Sequence, residues 1–304
     1  MKYQLFQYYD SSQELNLGLH IDGTYLKLPG ETLESILARW EETSAKLGEL
    51  VDSLGGRETV LERLDPSSIR FGPAVPFSAT IYGAGANYRD HVEAMSRALK
   101  MKISLDPRSE GIPPWHFIKP GRATLAAHGE DIHIPSYVRR FDWEAEVAVV
   151  IGKVAENVSV ESALSYVAGY SCANDLSARD TFIRHAVDIS SPFHFDWLGH
   201  KCFRDSCPVG PFLTPAAFVG NPENLGVRCW VNDEQRQSGN TSDHLYGVAE
   251  QIAYLSSRIR LFPGDVILTG TPAGVGMETG KFLASGDVIR VQVDGLGTLV
   301  NRVI

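Results

Sequence analysis

The stretch Asp142-Trp143-Glu144-Ala145-Glu146-Val147-Ala148-Val149-Val150-Ile151 decides how the rest of the chain is read. Its β-branched run after Glu146 predicts a strand. Side chains alternate across a strand, so Glu144 and Glu146 share a face with Ala148 and Val150, while Ala145, Val147, Val149 and Ile151 take the other. Both faces run into apolar residues, which places the strand in the middle of its sheet. Two carboxylates side by side on a buried strand repel each other and lose hydration. A divalent cation between them answers both problems; the alternative is an edge strand with both glutamates in water. A stable site needs a third acid. Asp175, in Asn174-Asp175-Leu176-Ser177-Ala178-Arg179-Asp180, supplies one at the end of a strand-like run over 169–173. Its plainer role there is a helix N-cap, with Arg179 four residues on as an ion-pair partner. Three carboxylates without Cys or His select a hard ion, Mg²⁺, Mn²⁺ or, in crystals, Ca²⁺, and leave about three octahedral positions for water and substrate.

Outward from this strand, further β-branched runs fall at 79–82, 227–231, 265–269 and 288–293, bounded by Gly, Pro or Asp. Helical periodicity marks 31–50, 160–168 and 244–255. Strands and helices do not alternate regularly, so a doubly wound parallel sheet is a poor fit. The expected class is α+β, predominantly β. Short strand-like runs at 3–7, 15–21 and 25–28 precede a break at Pro66-Ser67-Ser68, which suggests a small β-rich N-terminal domain over 1–71 and a catalytic domain over 72–304. The alternative is that these first strands join the main sheet.

Composition narrows the function. A chain of 304 residues with 43% hydrophobic and 21% charged residues has a sizeable core. A formal net charge of −9 argues against partners that are nucleic acids or anionic membranes, which it would repel. No apolar run reaches the roughly 18 residues of a membrane span. The opening residues lack an apolar signal core, and Cys172, Cys202, Cys207 and Cys229 lack zinc-type spacing, so a cytoplasmic protein with reduced thiols is expected.

Seven ordered blocks carry a resemblance. They are GAGANYRDHVEAM (83–95), FIKP (117–120), DWEAEVAVVIGK (142–153), ANDLSARD (173–180), KCFRDSCPVGP (201–211), QSGNTSD (237–243) and FPGDVILTGTPAGVG (262–276). Over most of 75–304 the chain resembles the fumarylacetoacetate hydrolase family. The resemblance implies a rolled, mixed β-sheet catalytic domain that forms homodimers, with a Mg²⁺ or Mn²⁺ site at Glu144, Glu146 and Asp175. It implies small-molecule 2-oxo acid substrates and hydrolysis of a C–C bond in a 2,4-dioxo acid or acylpyruvate. Decarboxylation of an oxaloacetate-like acid and keto–enol tautomerisation are the alternatives, and a catalytically silent homologue is a third.

The same resemblance implies roles for single residues. Arg179, Thr271, Gly270 and Tyr88 would contact substrate, Lys201 would face the reacting centre, and His91 would activate water with a glutamate. The Thr269-Gly270-Thr271-Pro272-Ala273-Gly274-Val275-Gly276 loop reads as a carboxylate cradle, since glycine lets backbone N–H groups approach an anion. Two departures from the family pattern stand out. The dyad glutamate of close relatives lies three residues after the histidine, where this chain has Ala94. Glu93 is two residues on, at about 200° around a helix, so it pairs with His91 only if the backbone is not helical. Phe182 replaces a substrate-binding glutamine of acylpyruvase-like relatives. The segment 92–114, a helical stretch followed by an irregular one, reads as a lid, and Trp115, Phe182, Phe193 and Trp197 as either pocket wall or core.

Overall fold

The computed structural model describes residues 1–56, 60–99 and 103–304. Thirteen strands matter for the site. Those of the first half are β1 (Gln4–Tyr9), β2 (Leu15–Ile21), β3 (Thr24–Leu28), β4 (Thr80–Ala84), β5 (His116–Pro120) and β6 (Ala145–Ile151). The second half adds β7 (Val167–Asn174), β8 (Cys207–Pro215), β9 (Gly226–Val231), β10 (Glu234–Asn240), β11 (Val266–Leu268), β12 (Val288–Val293) and β13 (Gly297–Val303). The large mixed sheet runs β3-β2-β1-β8-β7-β6-β11-β4-β5, and a second sheet runs β10-β9-β12-β13 and ends on Asp131–Ile132.

The key strand is central, as its two apolar faces require. β6 lies between β7 and β11, with Glu146 opposite Ala173 and Ala148 opposite Leu268. Ala145, Val147, Val149 and Ile151 pack with Val227, Val291 and Leu299 of the second sheet. Ala148 and Val150 face the other way, into a cluster with Leu33, Ile36 and Trp40 from α1 (Leu33–Ala38) and α2 (Trp40–Gly56). All seven residues of β6 are buried. Burying each Val or Ile stabilises by about 1.5–3 kcal/mol. Four of them in one strand hold the adjoining carboxylates in place against a desolvation cost of several kcal/mol per ion.

Sheet and helix limits differ from the sequence reading in instructive places. The helix expected over 31–50 is two, broken at Arg39, where ψ is 35°. The helix expected over 160–168 stops after one turn, Val160–Ala163, because Val167 onward is claimed by β7, whose eight residues are all buried. Sheet pairing there outweighs local periodicity. The helix expected over 244–255 begins at Val248, as α5 (Val248–Ser256), numbered after α3 (Arg89–Leu99) and α4 (Trp197–Lys201). The first 71 residues add β1, β2, β3 and the two-residue strand Arg70–Phe71 to the edge of the large sheet, with Leu5 opposite Leu213, and Leu5, Leu17 and Leu19 share a cluster with Ala148 and Leu213. All four cysteines are free thiols, and among the described residues no helix is long and apolar enough to cross a membrane.

Candidate metal centre

Glu144, Glu146 and Asp175 meet at one end of the β6–β7 pair. The Asp175 N–H donates to the Glu144 carbonyl at 2.9 Å, and the Asn174 side chain accepts from the Glu144 N–H at 3.0 Å. No helix starts at Asp175; the chain continues as the short strand Ser177–Ala178. The N-cap reading therefore fails, and the Asp175–Arg179 pair with it, because the intervening residues are extended. One oxygen from each of the three acids lies within 4.8 Å of the others, and all three side chains are buried.

The two oxygens of each acid are used differently. Glu144 Oε1 accepts from Arg179 Nη2 at 2.6 Å and Ser177 Oγ at 3.2 Å, while Oε2 accepts from Lys201 Nζ at 2.8 Å. Asp175 Oδ2 accepts from Lys201 Nζ at 2.5 Å, and its Oδ1 accepts from Lys119. Among the described residues Glu146 has no cationic side chain within ion-pair reach; its Oε2 accepts the Gly270 N–H at 2.7 Å. Burial, then the Asp175 and Glu144 charges, push the Glu146 carboxyl well above its usual range. Burial opposes ionisation of Glu144 too, but Lys201 and Arg179 overcome it and hold that carboxyl low. Lys201 stays protonated because Asp175 and Glu144 outweigh its own burial.

This donor set fits a hard divalent ion. Four buried carboxylates, Asp142, Glu144, Glu146 and Asp175, face three cations, the buried Lys119 and Lys201 and the part-buried Arg179. Four acids share three cations, and among the described residues Glu146 is the acid left without a cationic partner. Oxygen-only ligation by three carboxylates is the pattern of Mg²⁺ and Mn²⁺ sites.

The Gly-rich loop is an anion cradle, but for the protein's own carboxylates. The Gly270 N–H goes to Glu146, the Ala273 N–H to Asp90 at 3.2 Å, and the Gly274 N–H to Glu278 at 2.6 Å. Gly276 and Met277 N–H groups bind Asp142 at 2.5 and 2.9 Å. Gly270 has φ +96°, and a Cβ there would meet Asn87 Cβ at 2.8 Å. Thr271 Oγ1 donates to the Ala145 carbonyl at 2.9 Å and accepts from Gln237 at 2.8 Å. Its proton is thus directed at the backbone rather than at an anionic substrate.

Glu93 is not the partner of His91. Both lie on α3, which is helical from Arg89 to Leu99, so they point apart and no hydrogen bond joins them. Instead His91 Nδ1 is bonded to Glu278 Oε1 at 2.6 Å, with both side chains nine-tenths buried or nearly so. Glu278 sits on α6 (Gly276–Thr279), 187 residues away in sequence. The one clue in the sequence was an acidic residue just past the Gly-rich block. The pair adjoins the triad through the chain: Glu278 follows Met277, whose N–H binds Asp142, and Asp142 shares Arg179 with Glu144.

Around these groups, Arg179 donates from Nε to Asp142 at 2.8 Å as well as to Glu144. Tyr88 is fully buried with its hydroxyl unpartnered, and burial and then the Glu146 charge push its pKa far up. Lys201 Nζ lies 5.0 Å over the Phe117 ring. Trp197 stacks on Phe117 and meets Trp115 and Phe182, an aromatic group beside Lys201, while Phe193 is exposed and outside it. Of the expected lid, residues 100–102 lie outside the described residues. Residues 103–114 are pinned by Arg108 to Glu250 and, with Leu245 and Tyr246, wall a cavity of about 160 Å³.

The sequence model of the fumarylacetoacetate (FAA) hydrolase C-terminal region matches residues 80–304. Oxaloacetate tautomerase fahd2, mitochondrial, of Xenopus laevis is 39% identical over 184 residues, 60% of this chain and 56% of that protein. Oxaloacetate tautomerase YisK of Bacillus subtilis (strain 168) is 34% identical over 295 residues, 91% of this chain and 87% of that one. Fumarylacetoacetate hydrolase EaFAH of Exiguobacterium antarcticum superposes with a TM-score of 0.79 at 27% identity, covering 99% of each chain. Maleylpyruvate hydrolase of Sphingobium sp. SYK-6, solved with manganese (II) ion and pyruvate, gives 0.74 at 26% identity, over 99% of this chain and 98% of that one.

Proposed function

This chain belongs to the fumarylacetoacetate hydrolase family, and from that premise we propose that it is a divalent-metal-dependent enzyme interconverting the keto and enol forms of an oxaloacetate-type 2-oxo acid. The observation that carries the proposal is the buried His91–Glu278 pair beside the acidic triad. The name oxaloacetate tautomerase on a relative aligned over 91% of this chain supports that reaction over others this chemistry allows.

A Mg²⁺ or Mn²⁺ held by Glu144, Glu146 and Asp175 would supply Lewis-acid polarisation of the 2-oxo group, which acidifies the neighbouring C3–H. Glu278 accepts the Nδ1 proton and so leaves the Nε2 lone pair of His91 as the base. Nε2 takes a proton from C3 in the keto-to-enol direction while the 2-oxygen gains one from water as the enol leaves, and both transfers run backwards in the reverse direction. Lys201 presents a compact positive charge to the oxygen on which negative charge develops. Arg179 keeps three N–H donors after its bonds to Asp142 and Glu144, and a forked pair of these suits a substrate carboxylate.

Hydrolysis of a C–C bond in an acylpyruvate is the second reading. It is favoured by the same pair, since a histidine held by a carboxylate also activates water. Following the enol absorbance of oxaloacetate with Mn²⁺-loaded protein separates the two. The proposal expects faster keto–enol equilibration that His91→Gln abolishes. Cleavage of an acylpyruvate to pyruvate with no effect on oxaloacetate equilibration would overturn it in favour of hydrolysis. Release of CO₂ from oxaloacetate that survives His91→Gln would point to decarboxylation.

A further inference from the structure

Asp175 is gripped by two lysines, and they are bonded in different ways. Lys119, on β5, is fully buried. It donates to Asp175 Oδ1, to the Ser206 carbonyl at 2.7 Å and to the Leu176 carbonyl at 3.5 Å. These three acceptors account for its three ammonium protons. Two of them are backbone carbonyls, which keep their place and partial charge whatever else enters the site. Lys201, at the end of α4, has no backbone acceptor among the described residues. It donates to Asp175 Oδ2 and Glu144 Oε2, and otherwise lies against the Phe117 ring.

The oxygens decide which lysine is exchangeable. Asp175 Oδ1 is taken by Lys119, and Glu144 Oε1 by Arg179 and Ser177. On these two acids the oxygens left to ligate a cation are Asp175 Oδ2 and Glu144 Oε2, the two on which Lys201 sits. We propose that Lys119 is a positioning residue, a permanent counter-ion that presents Asp175 with one oxygen free, and that Lys201 is an exchangeable counter-ion that gives up Asp175 Oδ2 and Glu144 Oε2 when a divalent cation is bound. Lys201 then has its donors free for substrate, so metal loading is what arms it. Phe117, two residues before Lys119 on the same face of β5, offers the released ammonium a cation–π surface. The inference rests on the metal site of the proposed function and adds a division of labour that the site alone does not require.

Mn²⁺ affinity of the full-length protein, read from the electron paramagnetic resonance signal of free Mn²⁺, tests it without reference to turnover. If both lysines were mere nearby charges, removing either would tighten Mn²⁺ binding. The proposal expects opposite signs. Lys201→Met removes a competitor and tightens binding at least about threefold, while Lys119→Met lets Asp175 turn and weakens it at least about tenfold, the scale of other orienting partners of metal ligands. Lys119→Arg, which keeps the charge and changes the fork, weakens it less. Weaker binding by Lys201→Met, or tighter or unchanged binding by Lys119→Met, overturns the division. Should Lys119→Met not fold, the Lys201→Met and Lys119→Arg arms decide alone. Absence of Mn²⁺ binding by the wild type overturns the metal site itself, a distinct outcome.

Discussion

Replacing Glu278 by Gln isolates the acid–base pair from the metal ligands. The side chain keeps its shape but has one acceptor oxygen instead of two. Glu278 now accepts from His91 Nδ1 at 2.6 Å and from the Gly274 N–H at 2.6 Å, so the amide satisfies one of them and opposes the other. The lost charge matters more. A carboxylate about 4 Å from an imidazolium, at an effective dielectric of about 20, stabilises it by roughly 4 kcal/mol as an upper figure. Each 1.4 kcal/mol is a factor of ten in rate, so the ceiling is near three decades, within the about 10²–10⁴-fold typical of general acid–base catalysis. We expect kcat to fall about 10²–10³-fold while Mn²⁺ affinity stays within about twofold, because Glu278 touches no triad acid. Steady-state oxaloacetate tautomerisation and Mn²⁺ titration on one preparation give both numbers. Glu93→Gln serves as the control and should leave kcat unchanged. A Glu278→Gln enzyme within about threefold of wild type, or a Glu93→Gln enzyme with the larger loss, would refute the assignment.

Three further outcomes follow from other parts of the structure. Burial pushes the His116 pKa down from 6.5 to about 4; the unfolded chain binds a proton below 6.5 that the native state refuses until about 4, so stability drops as pH falls through that window. A gap of this size is worth about 3 kcal/mol, and urea denaturation of wild type and His116→Gln should show the slope in the first and a shallower one in the second. Asp142→Ala removes the acceptor of two loop N–H groups and Arg179, and should cost about 3–5 kcal/mol, the usual loss when one partner of a buried ion pair is deleted; a loss under about 1 kcal/mol in the same assay would mean the loop holds itself. Gly270→Ala, with its Cβ forced against Asn87 at positive φ, should displace the N–H that holds Glu146 and weaken Mn²⁺ binding at least about tenfold; unchanged affinity in a Mn²⁺ titration would argue that this N–H does not position Glu146.

What could be read from the sequence was what depends on local pattern. The alternation of residues 144–151 gave the central strand, its two apolar faces and the shared side of Glu144 and Glu146, because period-two geometry is enforced wherever both faces are buried. The convergence of Asp175 on that pair was legible too, since β7 simply returns beside β6. Long-range partners were not. Glu278 reaches His91 from 187 residues away, and Lys119 reaches Asp175 across 56; no spacing rule encodes either. Lys119 lay in view within the FIKP block, but a lone lysine is most often a surface residue, and only its burial among two carbonyls and a carboxylate sets it apart. Which of the protein's own carboxylates the loop N–H groups bind was not legible, because glycine-rich loops advertise free N–H groups without saying which anion takes them.

The central claim is that three acids converge because a divalent cation is held among them. Anomalous diffraction from crystals grown with Mn²⁺ tests it most directly. The account predicts a manganese peak about 2.1 Å from Asp175 Oδ2 and from one oxygen each of Glu144 and Glu146, with the Lys201 ammonium moved off both acids. A map with no peak, and Lys201 still bonded to Asp175 and Glu144 at saturating Mn²⁺, would contradict it.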